Sequence, residues 1–142
     1  MLYLNPPENF NPQFEVASCF IEQDGKILLL HRHDGKIGGN KWGSPAGKVE
    51  AGESPLQAIA REAKEETGLT LALERFQYFK KVFVRYPEFD FVFHIFSAKL
   101  EFSSEIKLNK EHKDFIWATP ASALRLDLIL DEDACIKIFY GI

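Results

Sequence analysis

Apolar and partly β-branched residues run from Phe14 to Glu22 and predict a strand. Asp24-Gly25 follows as a two-residue hairpin signal, so Lys26 to His33 reads as the returning strand. A loop rich in Gly and Lys comes next, from Asp34 to Lys41. The period then changes. Leu56, Ile59, Ala60 and Ala63 recur at spacings of three and four, the stripe of an amphipathic helix. Ser54 suits the N-cap of that helix, Pro55 its first position and Gly68 the position just past its end. Phe76 to Val84 and Phe89 to Leu100 read as strands around an Arg85-Tyr86-Pro87-Glu88 turn. The second is apolar on both faces (Phe91, Val92, Phe93, Ile95, Phe96) and is expected to be central and covered on both sides. Asp114 to Ala118 predicts another strand, Thr119-Pro120 starts a short helix, and Asp131 to Tyr140 predicts a C-terminal helix with acids at its positive end.

Strands mixed with helices on either side predict an α/β (α+β) fold, a mixed sheet sandwiched between helices. Residues 1–13 hold three prolines and three asparagines and read as an extended N-terminal arm, leaving 14–142 as a single domain. There is no internal repeat and no low-complexity segment.

Composition fits this picture. The 142 residues suit one domain, and 46% hydrophobic with 27% charged residues is a globular composition. The formal net charge of −4 argues against binding duplex nucleic acid, which calls for a basic excess. An anionic substrate remains compatible if metal ions neutralise the site. Cys19 and Cys135 form no CxxC pair and read as two buried thiols. The first residues do not resemble a signal peptide and no apolar run approaches membrane-spanning length, so the expectation is a cytoplasmic protein without membrane contact.

One stretch resists a purely structural explanation. Glu50, Glu53, Glu62, Glu65 and Glu66 crowd into GKVEAGESPLQAIAREAKEETGL. On a helix, Glu62, Glu65 and Glu66 stand at i, i+3 and i+4 and leave from one face, where like charges repel. Carboxylate oxygens in such an array are the hard ligands that Mg²⁺ or Mn²⁺ prefers. A solvated acidic helix face is the plainer alternative. Arg61 can hold one carboxylate through a bidentate ion pair. The glycine-punctuated loop before the helix can bring Glu53 close to the same face.

From Gly47 to Leu69 this stretch resembles the Nudix hydrolase family, matching each fixed position of its signature GX5EX7REUXEEXGU, with Ala63 where a bulkier aliphatic is usual. The resemblance implies an α/β/α sandwich and metal-dependent hydrolysis of a nucleoside diphosphate linked to another group, with Mg²⁺ or Mn²⁺ as cofactor. It further implies Glu62, Glu65 and Glu66 as metal ligands together with the Gly47 carbonyl, and Glu53 and Arg61 as the residues that hold them. Glu62 is one candidate for the base that deprotonates water. Glu111 is the other, since mutator-type (MutT-like) members carry an acidic residue at a similar distance before a tryptophan, here Trp117.

For the substrate the expectations are looser. Lys48, Arg32 and Arg85 are candidate phosphate contacts. The Trp42-Gly43-Ser44-Pro45-Ala46-Gly47-Lys48 lead-in resembles the mutator-type nucleoside triphosphate pyrophosphatases, which would place the base near Asp131, Glu132 or Asp133. Tyr86 stands about where dinucleoside polyphosphate hydrolases carry a stacking tyrosine. ADP-ribose and nucleotide sugars are further options. An isomerase of the isopentenyl diphosphate type would need a cysteine poised in a loop, whereas Cys19 falls in an apolar strand. A non-catalytic nucleotide-binding module would usually have lost box glutamates. His94 reads as a hydrogen-bonded core histidine, and His31 and His33 as solvated strand-end residues. The expected assembly is a monomer or a homodimer.

Overall fold

The structure, a computed structural model, describes residues 1–36 and 39–142. Within the expected 34–41 loop, residues 37 and 38 therefore lie outside the described residues. The core is one mixed sheet built on β2 (Pro12–Gln23), its longest strand. On one side β2 pairs in parallel with β7 (Asp90–Lys99), from Pro12↔Asp90 to Glu22↔Lys99. Its other side is shared. The first half pairs with β5 (Ala46–Lys48), and the end turns through the hairpin into β3 (Lys26–Arg32). The hairpin forms because Asp24 (φ 51°) and Gly25 (φ 75°) both take the left-handed conformation a two-residue turn of right-twisted strands requires.

β6 (Phe76–Arg85) runs antiparallel along β7, and β8 (His112–Ala118) along β3. The short β4 (Trp42–Gly43) also joins β3. The N-terminal residues lie along the sheet: β1 (Leu2–Tyr3) adds an edge strand to β6, and the long strand already begins at Pro12.

Alternation along the strands feeds two cores. Ala17, Cys19, Ile21, Leu28, Leu30, Phe96 and Ala98 face α1 (Pro55–Thr67), whose Ala58, Ile59 and Ala63 are fully buried against them. Burying one such isoleucine contributes about 1.5–3 kcal/mol. Phe20, Ile27, Leu29, Phe91 and Ile95 face the other way, toward Ala123 of α2 (Pro120–Ala123) and Cys135 and Ile136 of α3 (Glu132–Tyr140). The result is the expected sandwich, with β7 covered on both faces. Both cysteines are free and buried, one in each core. Among the described residues no helix is long and apolar enough to cross a membrane.

The boundaries of α1 follow from its caps. Ser54 Oγ accepts from the Gln57 N–H at 3.1 Å, and Gln57 Oε1 accepts from the Ser54 N–H at 2.9 Å, a reciprocal capping box. Gly68 ends the helix at φ 77°. Burial of Ala58, Ile59 and Ala63 against the sheet fixes the rotation of the helix and hence the direction of its glutamates.

Candidate active site

Arg61 organises the first part of the site. Its Nε donates to Glu53 Oε2 at 2.7 Å and its Nη2 to Glu53 Oε1 at 3.1 Å, the expected bidentate pair. Nη1 reaches Glu62 Oε1 at 2.7 Å and Glu65 at 3.3 Å, and Nη2 also reaches the Lys48 carbonyl at 3.1 Å. Glu53 in turn accepts the Glu50 N–H at 3.0 Å, and these bonds, those of Arg61 foremost, hold its carboxyl below the usual range. One guanidinium thus ties the loop before the helix to the carboxylates on it.

Three carboxylates on one helix face differ in surroundings. Glu65 is half exposed. Glu66 is only 3% exposed, and its Oε1 accepts the Ala46 N–H at 2.9 Å. Burial pushes Glu66 well above the usual carboxylate range, and the charges of Glu62 and Glu111 add to the effect. Burial also raises Glu62, against the pull of Arg61. Gly47 lies directly against Glu62: a Cβ there would collide with the carboxyl group. The fixed glycine of the stretch is needed for this close approach.

Glu111 reaches the same place from the loop before β8. Its N–H is held by Asn109 Oδ1 at 3.1 Å, and single donor atoms of Glu66, Glu111 and His112 lie within 4.8 Å of one another. His112 is buried, its Nδ1 has no hydrogen-bond partner, and burial lowers its pKa. The lone sequence signal for His112 was its place beside Glu111, which identifies no function. Arg32 lies on the same side of β3 and is the cross-strand partner of His112, with its charge felt by both Glu66 and His112. This donor set suits a divalent cation. Hard oxygen ligands stand close to one another, Glu62 and Glu66 are pushed toward protonation, and a buried nitrogen of His112 is left unpaired.

On the opposite face of β5 is a cavity of about 200 Å³, between the sheet and the start of α3. Phe91, Phe93 and Tyr86 give it aromatic walls, and Ser44, Asp131 and Glu132 its polar ones. Glu132 is buried and its Oε1 accepts the Ser44 N–H at 2.6 Å; burial raises its pKa. Ser44 Oγ and Asp131 Oδ2 are buried without a hydrogen bond, although Asp131 is ion-paired at 3.5 Å with the Met1 amino group. Burial, then the Asp131 charge, pushes the Tyr86 phenol up to about 12. Ser44 was not singled out by the sequence, which gave no sign of its partner 88 residues away.

Not every candidate belongs here. Lys48 pairs with Val16, points to the face opposite Glu62, and sets its ammonium 4.3 Å over the Phe14 ring. The structure therefore does not bring Lys48 to the carboxylates, because strand alternation turns it away once Gly47 faces the helix. Arg85 is engaged at the β6–β7 turn, bidentate to Asp90 at 2.8 and 2.9 Å. His94 is the expected core histidine, bonded to Tyr78 at 2.8 Å and Glu15 at 2.5 Å. His31 stacks on Trp42 at 4.2 Å and His33 is exposed.

Comparison with known proteins bears on this geometry. A family model described as NUDIX domain matches residues 12–137. The CTP pyrophosphohydrolase of Escherichia coli (strain K12) is 31% identical over 117 residues, covering 80% of this chain and 82% of that protein. Nucleoside triphosphatase NudI of Escherichia coli O139:H28 (strain E24377A / ETEC) is 29% identical over 126 residues, covering 82% of this chain and 89% of that protein. The crystal structure of a MutT protein from Methanosarcina mazei Go1 aligns with a TM-score of 0.81 at 25% identity, over 92% of this chain and 95% of that one.

Proposed function

This chain belongs to the Nudix family of hydrolases acting on phosphoric anhydride bonds, and on that premise we propose that it cleaves a nucleoside triphosphate to the monophosphate and pyrophosphate. The observation that carries the reading is the placement of one base-sized cavity directly behind the carboxylate face, with only β5 between them. A triphosphate presents one base and one reactive chain, and among the described residues this cavity and the carboxylate face could take one each. The relative named as a CTP pyrophosphohydrolase supports the same substrate class.

Glu62, Glu65 and Glu66 would hold divalent metal, with the Gly47 carbonyl and Glu111 as further ligands. Bound there, Mg²⁺ or Mn²⁺ would neutralise the diphosphate charge and lower the pKa of a bound water. The protein's own part is positioning. Arg61 and Glu53 hold the Glu62 carboxylate in place, and the Ala46 N–H does the same for Glu66. Glu62, held by Arg61 against the Gly47 backbone, is one candidate proton acceptor, and Glu111 is the other. Arg32 contributes positive charge beside the phosphate path. In the cavity, the aromatic wall of Tyr86 and Phe91, packed edge to face on each other at 5.5 Å, would contact the base, while Asp131 and Glu132 would accept hydrogen bonds from its edge.

A dinucleoside polyphosphate is the second reading, favoured by the Tyr86 ring in the cavity wall. ADP-ribose and nucleotide sugars complete the panel. Side-by-side kcat/KM values for canonical and oxidised triphosphates, diadenosine polyphosphates and ADP-ribose decide among them. A preference of ~10²-fold for one of the latter two, about 2.7 kcal/mol, overturns the triphosphate reading and leaves the hydrolase intact.

A further inference from the structure

Donors from two separate segments converge where the end of α1 meets the start of β8. One carboxylate oxygen from each of Glu66 and Glu111 and one ring nitrogen of His112 fall within 4.8 Å of one another. His112 is only 8% exposed, and its Nδ1 is buried with no hydrogen-bond partner. Buried polar atoms are seldom left unpaired, and the ring that carries this one has a nitrogen within 4.8 Å of a carboxylate oxygen from each of two acids. Arg32 brings a positive charge to the same place. A guanidinium has only N–H groups, so it answers a carboxylate but cannot occupy an imidazole as a metal does, alongside two carboxylates at once. Each donor is also held from behind. The Ala46 N–H holds Glu66, Asn109 holds the Glu111 backbone, and pairing with Arg32 fixes His112 on β8.

We propose that Glu66, Glu111 and His112 form one divalent-cation subsite in which the imidazole is a nitrogen ligand, and that this nitrogen biases the protein toward Mn²⁺ over Mg²⁺. The inference rests on the hydrolase reading for the role of the ion and is independent of which nucleotide is cleaved. Mg²⁺ strongly prefers oxygen ligands, whereas first-row transition ions accept imidazole more readily. Oxygen ligands alone would leave the two ions to be separated by size and geometry. An imidazole in the ligand set adds a chemical distinction.

The test uses MnCl₂ and MgCl₂ with nucleotide-free protein, wild type and His112→Gln. Pulsed electron paramagnetic resonance of the Mn²⁺-loaded wild type is expected to show ¹⁴N modulation that is lost in His112→Gln. Calorimetric titration is expected to show Mn²⁺ affinity falling about 10-fold or more in the variant, with Mg²⁺ affinity changing less than about 3-fold. Should the variant fail to fold, wild-type protein labelled with ¹⁵N-histidine decides, because a histidine ligand replaces the ¹⁴N modulation with ¹⁵N coupling. Absence of nitrogen coupling in the wild type, coupling that survives His112→Gln, or equal weakening of both ions overturns the subsite. Mg²⁺-supported turnover measured in parallel keeps the two readings apart: hydrolysis without nitrogen coupling removes the histidine ligand and leaves the hydrolase standing.

Discussion

The Ala46 N–H donates to Glu66 Oε1 at 2.9 Å, while Ala46 itself lines the cavity that contains Asp131 and Glu132. A strand of three residues therefore contacts both halves of the site. Gly47, next in line, faces Glu62 on the helix side. Any shift of β5 would move the cavity wall and the carboxylates together. With the base in the proposed cavity, this would couple recognition of the base to placement of the reactive chain.

Divalent metal is expected to be indispensable for turnover. Glu62 and Glu66 are held close together with raised pKa values, an arrangement that a cation relieves. Excess EDTA should abolish phosphate or pyrophosphate release, and Mg²⁺ or Mn²⁺ should restore it. Full activity in EDTA is the contrary result.

Glu66→Gln should lower kcat by about 10²-fold or more while leaving the metal-free fold intact. Glutamine keeps the acceptor for the Ala46 N–H and removes a buried charge. Since the Glu66 pKa is raised on folding, its protonated form favours the native state, and that advantage is lost as pH rises through the raised value. The variant's metal-free melting temperature should thus equal or exceed the wild type's at neutral pH. The gap should narrow as pH falls through the raised Glu66 value and be gone below about 4.3, the ordinary glutamate value. Stabilisation by added Mg²⁺ should shrink in the variant.

Gly47→Ala separates catalysis from stability. The added methyl meets the end of the Glu62 side chain, which can swing aside, so the fold should lose no more than about 1 kcal/mol. Glu62 would then leave its place beside Arg61, and kcat should fall by about 10²-fold. Paired melting curves and single-turnover rates would show the split; a large stability loss with intact kcat would refute it.

Arg61→Lys tests the guanidinium as a positioning residue. An ammonium cannot reproduce the bidentate bond to Glu53 together with bonds to Glu62 and Lys48. The expectation is kcat reduced by about 10- to 100-fold with KM changed little. An effect confined to KM would place Arg61 on the substrate instead.

The Arg85–Asp90 pair makes acid stability pH-dependent. The Arg85 guanidinium, first, and the Asn11 N–H lower the Asp90 pKa to about 2. A lowered carboxylate pKa stabilises the native state above the unfolded value of about 3.9, and that contribution is lost as pH falls through about 2. Asp90→Asn should have a lower urea midpoint than wild type at pH 7, with the two midpoints converging by pH 2. A gap of constant size would mean that the ion pair is not its source.

Much of the fold was legible because its signals are local. Ser54, Pro55 and Gly68 mark the ends of α1 through bonds within a turn of each cap, and Asp24-Gly25 sets its hairpin through its own φ angles. The spacing of Arg61, Glu62, Glu65 and Glu66 fixes a common helix face whatever surrounds it, so the carboxylate cluster and the family could be read directly from the chain. The small strands β1, β4 and β5 escaped notice because two or three residues have no period, and only a partner strand makes them strands.

The sequence by itself determined the helix that carries the glutamates, the arginine able to hold them and the family chemistry, all products of spacing along one continuous segment. The tertiary structure alone decided which distant groups meet them. Pairing of β5 with β2 turned Lys48 away from the carboxylates while pressing Gly47 against Glu62. Pairing of β3 with β8 delivered His112 to Glu66, and packing of α3 brought Glu132 to Ser44 across 88 residues. Such contacts depend on strand register and on two-sided burial, which the whole chain settles together, so no short stretch of sequence contains them.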